Sequence, residues 1–136
     1  KMGTDAAVNI KNEDIHEIMR KQGLTEGFDV GLEMSGSAQA FHQMISVMRN
    51  GGKISLLGLG GKPIEVDMNT VIWKGLTLQG IYGRKMDNWH QMSYMVQGGL
   101  DVSPVITHRF HYTEFEQGFA AMNSGKSGKV ILDWTK

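Results

Sequence analysis

Apolar residues in this chain recur with two different periods, and the switches between them mark the elements. Phe28-Asp29-Val30-Gly31-Leu32-Glu33-Met34 alternates strictly, which predicts a strand with one apolar face. Ile54 to Gly58 is almost wholly apolar and too short for a helix, which predicts a fully buried strand. Ala6–Ile10, Leu76–Tyr82, Pro104–Phe110 and Lys129–Trp134 read as further strands. Helical spacing fills the intervals. Ile15, Ile18, Met19 and Gln22 form one stripe behind a capping Asn12, and Gly23 closes that helix. Ala38, Phe41, Met44, Ile45 and Met48 form a second stripe behind Ser37, which Asn50-Gly51-Gly52 stops. Trp89, Met92, Met95 and Val96 form a third. Phe115, Phe119 and Met122 form a fourth, opened by a capping box of Thr113 and Glu116. Pro63–Asp67 reads as an extended connection, and 69–74 as a single helical turn.

Strands that alternate with helices predict parallel pairing and right-handed crossovers, hence an α/β fold. The rhythm weakens after about Leu100, so the tail is expected to pack against something other than the main sheet. In an open parallel sheet, ligands bind at the carboxyl ends of the strands. Three glycine-bearing loops fall there: Ser35-Gly36, Gly58 to Gly61, and Tyr82 to Arg84. Absent side chains let a ligand approach the backbone closely.

Composition narrows the classes. The chain has 136 residues, with 14 basic and 14 acidic, so it lacks the positive excess of a general nucleic-acid binder. It has no cysteine, which excludes a disulfide framework and a thiolate-held metal within these residues. No apolar run reaches the length of a membrane span, and the first residues do not resemble a signal peptide; a soluble, cytoplasmic protein is expected. The ten methionines sit mostly at helical spacing and read as adaptable core filler. A complete G-x-G-x-x-G fingerprint is absent, because Gly58 and Gly60 are followed by Pro63 in the third position. A P-loop fails as well, since Gly128-Lys129 precedes Val130. His108 and His111 flank Phe110 without a metal-ligand spacing and read as surface or packed polar residues.

The same loops carry a family resemblance. Phe28 to Gly36, Gly51-Gly52-Lys53-Ile54 and Leu56-Leu57-Gly58 resemble the second half of the nucleotide-binding domain of zinc-dependent medium-chain alcohol dehydrogenases. The ending from Phe115 through Ser124-Gly125-Lys126-Ser127-Gly128-Lys129-Val130 is similar to that superfamily too. Lys74-Gly75-Leu76, Gly80-Ile81-Tyr82-Gly83-Arg84, Gly99-Leu100-Asp101, Pro104 and Ile106 to Phe110 closely resemble its L-threonine 3-dehydrogenase branch.

The resemblance implies an NAD-dependent oxidation of L-threonine to 2-amino-3-oxobutanoate by a homotetramer that carries zinc. It implies NAD contacts at Leu57, Gly58, Leu59, Ile81 and Tyr82. It also implies a division: residues 1–102 as a partial Rossmann-like domain, family strands 3 to 6, and residues 103–136 as a strand–helix–strand segment returning to the catalytic domain. The family's zinc ligands, glycine fingerprint and proton relay have no counterpart here. The chain alone is therefore expected to lack hydride transfer and to bind NAD weakly or not at all. Strand Leu76–Tyr82 is expected to mediate self-association. The alternative reading is a stand-alone nucleotide-binding or oligomerisation module.

Overall fold

In a computed structural model, which describes residues 3–135, strands and helices alternate along the chain. The described residues divide by their contacts into Gly3–Gly83 and a second unit from Arg84 onward. The first unit holds α1 (Ile15–Lys21), β1 (Phe28–Glu33), α2 (Ala38–Val47), β2 (Met48–Leu56), α3 (Met68–Trp73) and β3 (Thr77–Gly80). Its three strands are parallel in the order β1-β2-β3. The Rossmann-like α/β reading thus holds, with three strands in the sheet rather than four.

The missing fourth is Ala6–Ile10, which forms no strand. Its end folds instead into a turn, where the N–H groups of Asn12 and Glu13 both donate to Asn9 O at 2.9 Å. A strand needs a neighbour to satisfy its backbone, and here none flanks this segment. The same turn takes Asn12 out of the capping position. Asp14 caps α1, accepting from His16 N at 2.9 Å.

Two glycines expected to separate α2 from the next strand lie inside that strand. The helix ends at Val47 and the chain extends at once from Met48. Gly51, at φ +74°, makes a bulge, and the pairing with β1 jumps from Phe28↔Met48 to Val30↔Lys53. A non-glycine residue at 51 would be strained at that φ.

The core of this unit is Phe41, Ile45, Met48, Ile54 and Val71, with Met44, Leu56, Leu76 and Leu78 packed around it. Ile54, fully buried, lies at its centre. Full burial of such a side chain stabilises by about 2 kcal/mol. One face of β1 reverses the expectation from its alternation. Gly31 and Glu33 are buried, while Val30, Leu32 and Met34 are exposed. The cause is α2, whose Met44 side chain lies over Gly31, 2.6 Å from where a Cβ would stand.

Lys74 fastens α3 to the end of α2. Its Nζ donates to Ile45 O at 3.0 Å, Ser46 O at 2.7 Å and Met48 O at 3.0 Å. These carbonyls end a helix and would otherwise lack partners, and the ammonium also offsets the negative end of the helix dipole.

The second unit holds α4 (Met86–Gln97), β4 (Ile106–His111), α5 (Phe115–Asn123) and β5 (Lys129–Asp133). β4 and β5 pair in parallel, and α5 packs on them at Gly118, where a Cβ would meet Leu132, Phe110 and Val130 at 3.1 to 3.6 Å. The cap before α5 is made by His111 and Glu114 around a short 3-10 turn, in place of Thr113 and Glu116. Trp134 stacks on Tyr112 with ring centroids 4.4 Å apart. No helix among the described residues is long and apolar enough to cross a membrane.

Lys74→Met keeps an unbranched apolar stem and removes the three hydrogen bonds of the ammonium. The unfolding free energy is expected to fall by about 1–3 kcal/mol, read from a urea denaturation midpoint. An unchanged midpoint would contradict the clamp.

Candidate functional site

The register of the first sheet sets three strand ends level. Glu33 pairs with Leu56, and Leu56 with Gly80. The loops after β1, β2 and β3 therefore leave from one edge. The hydrogen bonds continue past the strands: Ile81 N donates to Leu56 O at 2.9 Å, and Leu57 N and Gly58 N donate to Glu33 O at 2.8 and 3.1 Å. The segments starting at Leu57 and Ile81 thus leave adjacent strand ends, at the carboxyl edge where the sequence placed these loops. Leu59 and Tyr82 reach into solvent, 89% and 98% exposed. At Gly80 and Gly83 an added Cβ would meet nothing within 4 Å, so the backbone after β3 borders open space.

Glu33 is the residue that sequence reasoning missed. It is a carboxylate only 4% exposed, at the end of β1. Both oxygens are occupied. Oε1 accepts from Ser35 Oγ and from Ser35 N at 2.9 Å, and Gly36 N reaches Oε1 at 3.1 Å and Oε2 at 3.0 Å. The Ser35 hydroxyl, and then the backbone N–H groups, outweigh desolvation and hold the carboxyl below its ordinary value of 4.5. Buried charge is tolerated where it is fully hydrogen-bonded in this way.

The loops after β1 and β2 interlock over that carboxylate. A Cβ on Gly58 would fall 2.0 Å from Gly36 N and 2.7 Å from Glu33 Oε2. A Cβ on Gly36, which sits at φ +69°, would fall 2.6 Å from Leu59 C, and one on Gly60 2.8 Å from Gly36 O. Glycine is required at these positions by contact with backbone atoms, which cannot move aside as a side chain can.

The zinc-binding dehydrogenase family profile matches residues 1–98. The chain belongs to that family. Among its relatives are enzymes named L-threonine 3-dehydrogenase from Chromobacterium violaceum and Deinococcus deserti, each 56% identical over 98% and 100% of this chain. The chain spans about 40% of the length of these relatives. In structure it resembles L-idonate 5-dehydrogenase from Escherichia coli, with a TM-score of 0.78 and 25% identity over 96% of this chain and 38% of that one. An alcohol dehydrogenase from Thermotoga maritima aligns with a TM-score of 0.79 at 20% identity, over 96% of this chain and 38% of its own, which shows the shared fold.

The zinc that the family's name implies has no home in these residues. There is no cysteine, and among the described residues no group of three or more His, Asp or Glu could hold a metal. At the edge itself, the backbone after β3 borders open space at Gly80 and Gly83, while Gly58 and Gly60 after β2 are packed against Gly36.

Gly58→Ala forces a methyl against Gly36 and is expected to cost about 2–3 kcal/mol of unfolding free energy. For Glu33, whose folded pKa is depressed, the stabilisation is complete above pH 4.5 and is lost as the pH falls through the lower folded value. Thermal unfolding followed from pH 6 to about pH 3 is expected to fall more steeply for the wild type than for Glu33→Gln. Parallel curves would contradict the assignment.

Proposed function

We propose that the chain forms the C-terminal part of an NAD-dependent L-threonine 3-dehydrogenase. The observation that carries this reading is the glycine-bordered edge at Leu57–Leu59 and Ile81–Tyr82, found in a zinc-binding dehydrogenase whose relatives bear that name. In such a reaction C3 of threonine gives a hydride to the nicotinamide and its hydroxyl gives up a proton, leaving 2-amino-3-oxobutanoate and NADH. This chain's share is binding. Leu57, Gly58 and Leu59 offer backbone and two apolar side chains to the cofactor, and Ile81 and Tyr82 border it from the next strand. Residues 1–102 belong to the nucleotide-binding domain, and residues 103–136 return to the catalytic domain.

The zinc, the pyrophosphate loop and the proton relay belong to the rest of the enzyme. Alone, the chain binds NAD weakly or not at all and transfers no hydride. Strand β3 is an edge strand, with backbone groups free to pair. It joins a second copy of the chain, consistent with a homotetrameric enzyme working in the cytoplasm.

The full polypeptide of the reading frame is expected to reduce NAD when given threonine, and residues 1–136 alone are not. Activity in the 136-residue chain, or none in the full polypeptide, would overturn the reading. Sedimentation of the chain is expected to show association that grows with concentration, and a strict monomer would count against pairing through β3.

A further inference from the structure

Six hydrogen-bond contacts converge on residue 33 from two different loops. Its carboxylate accepts from the Ser35 hydroxyl, Ser35 N and, through both oxygens, Gly36 N. Its carbonyl accepts from Leu57 N and Gly58 N. The side chain therefore fixes the 35–36 backbone, and the main chain of the same residue fixes 57–58. The two loops then touch each other: Gly58, Leu59 and Gly60 rest on Gly36 at distances that exclude even a methyl group. If the carboxylate is lost, the 35–36 turn is no longer held, and the surface supporting Gly58–Gly60 goes with it. The outer side of that loop carries Leu59, which projects freely into solvent.

We propose that Glu33 is a positioning residue for NAD: through Ser35 and Gly36 it holds the Leu57–Leu59 backbone in the shape that receives the cofactor. This rests on the proposed function above. Glu33 touches neither cofactor nor substrate and acts only through the loop. A residue that merely stabilised the fold would lower the amount of folded protein and leave the affinity of the folded fraction unchanged. Glu33 predicts a selective loss instead, because an unpaired donor or a loosened turn at this edge costs binding there.

The test uses the full polypeptide of the reading frame. In Glu33→Gln, KM for NAD is expected to rise about tenfold while KM for threonine stays within about twofold. Amide hydrogen exchange is expected to quicken in the peptide spanning 57–60 and to stay unchanged across 45–54. Ser35→Ala keeps the carboxylate and removes its hydroxyl donor. It is expected to shift both readouts the same way by less, and it serves where Glu33→Gln does not fold. An unchanged KM for NAD in the folded variant, or unchanged exchange at 57–60, would overturn the proposal. A wild-type protein that never reduces NAD removes the proposed function instead. In that event the exchange at 57–60 decides alone: quickened, Glu33 holds the loop; unchanged, it does not.

Discussion

The first unit depends on one register: Glu33 against Leu56 against Gly80. Parallel strands in a fixed register end together, so the loops that follow them share an edge. A slip of one residue would turn every side chain of a strand to the opposite face. Here the register is fixed at two points on the buried face of β1. Gly31 lies under the Met44 side chain of α2, and Glu33 lies where Ser35 and Gly36 can reach its carboxylate. The bulge at Gly51 absorbs the mismatch that this alignment leaves near the start of β2.

Much of this was legible in the sequence. Alternation located β1, an apolar run located the end of β2, and clustered glycines located the loops at the carboxyl edge. The face of β1 was not legible. Alternation says that two faces differ and not which one a helix will cover. Val30, Leu32 and Met34 look like the core face, yet α2 covers Gly31 and the loops at 35–36 and 58 cover Glu33. In a doubly wound sheet both faces are covered, so apolar residues occur on both faces of a strand and alternation does not tell them apart.

The remaining misreadings have similar causes. Ala6–Ile10 has the composition of a strand, but strand formation is a property of a pair, and composition is silent about the partner. Gly51-Gly52 reads as a stop when the residues beyond it are ignored; the pairing with β1 makes it a bulge. Glu33 was hidden because an acid on an alternating strand looks like any solvent-facing residue. Its signal was the Ser35-Gly36 that follows, which supplies a hydroxyl and two N–H donors within three residues.

The Lys74 clamp has a consequence for how the structure opens. The last turn of α2 is completed by a side chain 26 to 29 residues further along the chain, and Gly51 N in the bulge of β2 donates to the backbone carbonyl of that same lysine. The end of α2, the bulge of β2 and the end of α3 thus share one residue's hydrogen bonds. None of the three is complete while Lys74 is displaced. They form a single cooperative unit, whose parts gain and lose protection together.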